Sequence, residues 1–430
     1  MSWIISTFLS LKRIIYPGKK SALTLNENFA WITAGSIIYS GCQWGILVVI
    51  AKFGSVKMVG QFALGLAISA PVIMFTNLQL RAVEATDVRS KYKFGDYYGL
   101  RLLMTSIAFI IIIALISFGG YQRETAMIVL AVALAKAFES VSDIVYGLMQ
   151  KHERMDYIGI SMALKGLLSL VAFSLVIWFG RNLMMAILGL SVTWLVLLIV
   201  YDLSNARMWE LIQPNLAKNI WMRLLWLALP LGFVAMLVSL SENIPRYFIV
   251  SFRGESDLGY FASMAYVIVA VQKVIIAFGE SARPRLAKYF AEKRIYEFRK
   301  LLLRMLSFGL LVGIGVLMIS IFFGREILTI LYRPDYAEHV DVFIWLMIGG
   351  GVYYLSLILN DSMIAAQYFR IQVPMFLSVG ISIVILCALF IPARGILGAA
   401  QALVLGRLIH LLWGIVVCTH VYRKMASHNH

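Results

Sequence analysis

Charge is scarce in this sequence, and acidic charge scarcest of all. Only 14% of the 430 residues are charged, with 22 Asp and Glu against 38 Lys and Arg, for a net charge of +16. A soluble protein carries charge at about a quarter of its positions. Cysteine is nearly absent. Cys42, Cys387 and Cys418 all lie in apolar stretches, which gives neither a disulfide framework nor metal-ligand spacing. His152, His339, His410, His420, His428 and His430 form no ligand-spaced pair except His428 with His430 in the tail. No GxGxxG fingerprint and no GxxxxGK[ST] loop occurs, so nothing points to a nucleotide engine or another cofactor.

Apolar residues are abundant instead: 61% of the chain is hydrophobic, and the mean hydropathy is +0.85. Runs such as Ile107–Ser117, Leu167–Trp178 and Val379–Ile391 sit inside stretches of about 20 residues, enough for a helix to cross roughly 30 Å of hydrocarbon. Unpaired backbone groups are not tolerated in lipid, and the alternation of a barrel strand is missing. The expected fold is an all-α membrane protein of about twelve transmembrane helices. Met1–Tyr16 is too short to span and reads as an interfacial amphipathic helix.

The pattern places six helices at 28–51, 58–80, 98–119, 124–149, 157–179 and 182–201, and six more at 221–250, 257–281, 301–323, 340–366, 371–392 and 396–421. The expected domains are an interfacial segment 1–27, a six-helix bundle 28–201, a cytoplasmic linker 202–220, a second bundle 221–422 and a tail 423–430. An even number of helices puts both termini on one side. Loops on that side collect about 22 Lys and Arg, and those opposite about 8, so the termini are expected in the cytoplasm. The net charge is therefore read as a topology signal, and no nucleic-acid partner is expected. Trp31, Trp178, Tyr201 and Trp221 fall near helix ends, as interfacial aromatics do.

The two halves echo each other. Gly60-Gln61-Phe62-Ala63 is answered by Gly259-Tyr260-Phe261-Ala262, an offset of about 199 residues, and Arg89–Arg101 falls opposite Lys288–Lys300. Asp143 with Gln150 is echoed by Asn360 with Gln367. Two parallel six-helix repeats are a transporter architecture. Every outward loop is short, the longest being about Gly324–His339, which leaves no external domain for a polymerase or glycosyltransferase. The chain is expected not to be an enzyme.

Ionisable groups inside spans mark function by default. Lys136, Glu139 and Asp143 share one face of the fourth helix at i, i+3 and i+7. Two readings stand: a transport role, or an ion pair of Lys136 with Glu139 that pins the helix. In the seventh helix, Glu242 and Arg246 lie one turn apart around Pro245, which is expected to break or kink the helix. Arg246 is then placed to bind phosphate, or to pair with Glu242. Lys273 lies too deep to snorkel and reads as a cavity cation. Lys165, and Arg407 with His410, lie nearer the interfaces, where a structural role or a cavity role is open. Asp361 is equally open. Arg81, Glu84 and Asp87 end the second helix, either gating the inner entrance or lying in a solvated helix end.

Several of these segments resemble one family. Asn77–Asp87, Phe94-Gly95-Asp96-Tyr97, Leu134–Asp143, Asn243–Ile249, Ala282–Ala287 and Leu331–Ala337 are similar to the oligosaccharide flippases of bacterial surface-polysaccharide pathways. These are the Wzx-type O-antigen translocases of the multidrug/oligosaccharidyl-lipid/polysaccharide exporter superfamily, and the likeness runs from about Asn28 to Val421. It implies two bundles in a V shape around a cationic cavity in the bacterial cytoplasmic membrane. It also implies a substrate of undecaprenyl pyrophosphate carrying an oligosaccharide. Where many such flippases have Asp-Arg, this chain has Pro245-Arg246, with Glu242 one turn away as a substitute acid.

The expected function is therefore flipping of that lipid-linked oligosaccharide by alternating access. Arg246, Lys273, Lys136, Lys165 and Arg407 are the expected substrate cations. Glu139, Asp143, Glu242, Asp361, Arg81, Glu84 and Asp87 are the expected coupling or gating groups, with H+ or Na+ as the coupling ion. Membrane lipids and a polysaccharide polymerase or chain-length complex are the expected partners. A cation-coupled drug antiporter of the same superfamily is the rival transport reading. A membrane-embedded transferase and a scaffold are the rivals from other classes.

Overall fold

The computed structural model describes residues 22–87, 91–368 and 371–427. The interfacial helix expected over Met1–Tyr16 and the His428/His430 pair lie outside the described residues. Among the described residues the chain is almost entirely helical, with no strand.

The helices are α1 Leu25–Phe53, α2 Val56–Thr76, α3 Leu80–Ala85, α4 Phe94–Phe118, α5 Arg123–Lys151, α6 Met155–Gly180 and α7 Leu183–Leu197. They continue as α8 Lys218–Arg253, α9 Glu255–Ala291, α10 Ile295–Leu331, α11 Val340–Ala365 and α12 Gln372–Ser427. Ten segments are long and apolar enough to span. Helix α5, which carries Lys136, Glu139 and Asp143, falls outside that set. Helix α12 reverses at Gly395, whose φ of 57° and ψ of −137° leave the helical region, and Gly406 of its second arm packs on Ile383 of its first. Counting α5 and both arms of α12 separately accounts for the twelve crossings expected.

Helix ends explain most departures from the expected bounds. Thr24 caps α1: its Oγ1 accepts from the Glu27 N–H at 3.3 Å, and Glu27 Oε2 accepts from the Thr24 N–H at 2.9 Å. Asp96 accepts from the Lys93 N–H at 2.9 Å, so α4 starts at Phe94. Helices α9 and α10 have 37 residues each, about 55 Å, and so outrun the hydrocarbon core.

The chain divides into two compact units. One holds the described residues up to Gly54 and those from Ile68 to Met236, and the other holds Ser55–Ala67 with the described residues from Leu237 onward. In the first, α1 and α6 pack most extensively, because Gly35 and Gly159 bring their backbones together; a Cβ on either would strike the facing main chain. Helix α5 is its centre, touching α3, α4, α6 and α7. In the second unit α11 takes that place, packed on α9, α10 and α12.

The repeat read from the sequence recurs in local detail. Helix α5 ends with Glu153 at φ 55° and bonds from Glu153 N to Gln150 O and from Arg154 N to Met149 O, both 3.0 Å. Helix α11 ends the same way, with Gln367 at φ 63° and Tyr368 N bonding Met363 O at 2.9 Å. Each unit also ties its second crossing to its fourth through an Arg–Asp pair. In the first this is Arg81–Asp143 at 3.5 Å, and in the second Arg283–Asp361 at 2.6 Å.

One expectation is corrected. Pro245 does not break the seventh crossing: α8 runs helically through it from Lys218 to Arg253. Two side chains ahead of the proline also bond back to carbonyls of the same helix. Ser241 Oγ donates to Leu237 O at 2.9 Å, and Asn243 Nδ2 donates to Ser239 O at 2.8 Å.

Candidate functional site

The break that the sequence suggested for α8 lies instead between α2 and α3. Thr76 Oγ1 bonds back to Val72 O at 2.9 Å, and α2 ends there. Leu78 and Gln79 both sit at φ 51°, in the left-handed region, before α3 resumes at Leu80. That conformation costs roughly 1–2 kcal/mol per non-glycine residue, so the surroundings must hold it. They do: Leu78 is fully buried, and the side chain of Asn77 accepts a hydrogen bond from Arg101.

Beside this break, wholly within the first unit, is a cavity of about 280 Å³. Tyr39 of α1, Asn77 and Arg81 from either side of the break, Lys136, Glu139, Asp143 and Tyr146 of α5, and Lys165 of α6 all line it. Five residues expected at the site thus converge on one space: Arg81, Lys136, Glu139, Asp143 and Lys165.

Their charges form three linked groups. Lys136 Nζ lies 2.6 Å from Glu139 Oε2, and Glu139 also accepts from Tyr39. Lys165 Nζ lies 2.6 Å from Asp202 Oδ2 and 2.9 Å from the Tyr146 hydroxyl, while Ser161 Oγ donates to Asp202 Oδ1 at 2.6 Å. Asp143 is shared: Arg101 Nη2 reaches it at 3.1 Å and Arg81 Nη1 at 3.5 Å, with Arg81 Nε donating to Gln150 Oε1 at 3.1 Å. The Tyr146 ring lies between Arg81 at 5.6 Å and Lys165 at 5.0 Å, and Lys136 lies 5.4 Å from the Trp194 ring.

Across these groups each lysine has its own carboxylate, but two arginines share Asp143. The surplus positive charge sits at Arg81, whose side chain lines the cavity and is 28% exposed; Arg101 is fully buried behind it. A guanidinium with donors to spare, facing a cavity, is suited to a phosphate.

Three parts of this network escaped the sequence reading. Arg101 falls within the helix expected at 98–119, but as the end of a basic stretch it carries no sign of the buried pairing with Asp143 that the structure shows. Asp202 was assigned to the linker. The chain continues past α7 in a π-helical turn, Leu198–Leu203, which brings Asp202 to Lys165. Tyr39 and Tyr146 carried no signal beyond hydrophobicity. Lys165 does not snorkel into water: its side chain is 3% exposed and paired with Asp202.

The remaining expected residues lie elsewhere. Glu84 is buried on α3 against Gly147, and Asp87 caps the following turn, accepting from the N–H groups of Lys91 at 3.0 Å and Tyr92 at 3.1 Å. In the second unit, Glu242 accepts from the Tyr353 hydroxyl at 2.7 Å, and Arg407 stacks 4.8 Å from the same ring, beside buried His410. Asp361 holds Arg283. Arg246 is half-buried on α8, and Lys273 is exposed on α9. Among the described residues no group of His, Cys, Asp and Glu is arranged to hold a metal.

Comparison with known proteins gives the family and the fold. The family model described as polysaccharide biosynthesis protein matches residues 25–290. A capsular polysaccharide biosynthesis protein CapF of Staphylococcus aureus is 28% identical over 388 residues, covering 90% of this chain and 97% of that one. Among solved structures, a lipid II flippase MurJ in an inward closed conformation superposes with a TM-score of 0.71 at 12% identity, covering 92% of this chain and 89% of that one. An outward-facing multidrug resistance MATE family transporter of the MOP superfamily gives 0.62 at 12% identity, covering 96% and 98%. These two likenesses show the fold.

Proposed function

The chain belongs to the polysaccharide biosynthesis protein family, and from that premise we propose that it flips lipid-linked oligosaccharides across the bacterial cytoplasmic membrane. The substrate in this reading is undecaprenyl pyrophosphate bearing an oligosaccharide repeat unit, moved from the cytoplasmic to the outer leaflet by alternating access. The product feeds a surface polysaccharide: O-antigen, capsule or exopolysaccharide. Both termini are cytoplasmic, in keeping with the distribution of Lys and Arg.

The observation that carries the reading is the unequal sharing of Asp143 at the cavity of the first unit. Arg81 meets the pyrophosphate there, while Lys136 and Lys165 hold their own carboxylates and add donors at the walls. The prenyl chain stays in lipid. Outward movement of the anionic head from a negative interior is favourable by about 2.3 kcal/mol per net charge per 100 mV.

The drug-antiporter alternative has one observation in its favour: Glu139 and Asp143 lie in a cavity walled by Tyr39 and Tyr146. Both acids, however, already hold cations of the chain, which leaves neither free for an organic cation.

Binding to the protein in nanodiscs separates the two. Undecaprenyl pyrophosphate oligosaccharide is expected to bind more tightly than its monophosphate, and Arg81→Ala to remove the difference. Equal binding of the two lipids, together with tight binding of organic cations, would overturn the flippase reading.

A further inference from the structure

Glu84 stands one turn beyond Arg81 on α3 and is 1% exposed. Its Oε2 has no hydrogen-bond partner among the described residues. It lies against the backbone of α5 at Gly147, so close that a Cβ there would collide with it. The charged groups around it are Lys151 and Asp143 on α5, Arg101 on α4, and Glu210 in the segment before α8. None makes an ion pair with it: Arg101 is committed to Asn77 and Asp143. An ionised carboxylate in this position keeps its charge out of water with no donor to meet it, which is strongly disfavoured. A neutral carboxylic acid fits the same place.

We propose that Glu84 is a proton-binding site linked to the anion cavity. With Glu84 neutral, Arg81 and Arg101 are balanced by Asp143 alone, and one positive charge remains for an anionic head group. With Glu84 ionised, that charge is cancelled from behind. Occupation of the cavity and protonation of Glu84 therefore favour each other, and the effect is reciprocal. Glu139 and Asp143, the acids expected from the sequence to exchange a proton, are both salt-bridged in place. The proton site itself stands on the burial of Glu84. Only the identity of its linked ligand rests on the flippase reading.

Two measurements on the full chain in detergent test this, with Glu84→Gln, an isostere of the protonated acid, as comparison. The first is pH-difference infrared spectroscopy in the protonated-carboxyl region. A band present in wild type near neutral pH and missing in E84Q is expected; its absence from wild type overturns the proton site. The second is binding of inorganic pyrophosphate and of undecaprenyl pyrophosphate across pH. Wild-type affinity is expected to fall about tenfold as the infrared band titrates away, while E84Q binds tightly throughout. An E84Q profile that tracks wild type overturns the linkage. If neither probe binds wild type, the anion-cavity reading and the linkage both fall, and the infrared band alone decides the proton site.

Discussion

The Lys165 ammonium and the Asp202 carboxylate lie 2.6 Å apart with side chains 3% and 0% exposed, on two neighbouring crossings of the first unit. Removing either partner leaves a buried charge alone. Lys165→Met or Asp202→Leu is therefore expected to destabilise the protein by about 3–5 kcal/mol. The double replacement should recover most of that loss, as judged by unfolding in detergent. Flipping separates structure from function here. If Lys165 also touches the substrate, the double variant folds but transports poorly; restored transport would confine the pair to a structural role.

Arg81 and Arg101 share Asp143 yet should respond differently to loss. Arg81→Ala opens a cavity wall and is expected to weaken binding of the pyrophosphate lipid by about 10- to 100-fold, at the scale of one or two charged hydrogen bonds, with little change in stability. Arg101→Ala strips a fully buried partner and should lower stability by about 3–5 kcal/mol. Ligand titration and thermal unfolding of both variants check this. Equal effects on both readouts would contradict the assignment.

The left-handed break before α3 gives a prediction of opposite sign. Gln79 is exposed at φ 51°, so Gln79→Gly should stabilise the chain by about 1 kcal/mol, because glycine adopts that conformation without strain. A destabilised Gln79→Gly would show that the side chain holds the break.

Asp87 provides a pH test outside the spans. Burial pushes its carboxyl up, but the N–H groups of Lys91 and Tyr92 and the Tyr97 hydroxyl outweigh this and hold it below the ordinary carboxylate value. A depressed folded-state value stabilises the folded state above the unfolded one, and the contribution is lost as pH falls through it. The melting temperature of Asp87→Asn should therefore lie below wild type at neutral pH. The gap should close in acid, below about pH 4. A gap unchanged from neutral pH to acid would remove the charge from the explanation.

Helical periodicity made part of the site legible. Lys136, Glu139 and Asp143 share a face by spacing alone, and all three reach one cavity. Burial of their partners left no such trace. Arg101 looks like one more basic residue near a helix end, and only the observed pairing with Asp143 marks it as part of the network. Asp202 follows an apolar run that reads as finished, and a π-helical turn carries it onward. The break at Leu78 and Gln79 contains neither proline nor glycine, because tertiary contacts rather than local preference hold it. At Pro245 the opposite occurs: a strong local breaker lies inside a continuous helix.

The central claim is tested most directly by translocation of labelled undecaprenyl-pyrophosphate oligosaccharide in proteoliposomes, with and without an imposed potential and pH gradient. The account predicts translocation that depends on the protein, responds to the gradients and is lost in Arg81→Ala. Folded wild-type protein that leaves several such lipids in their original leaflet under every gradient would contradict it.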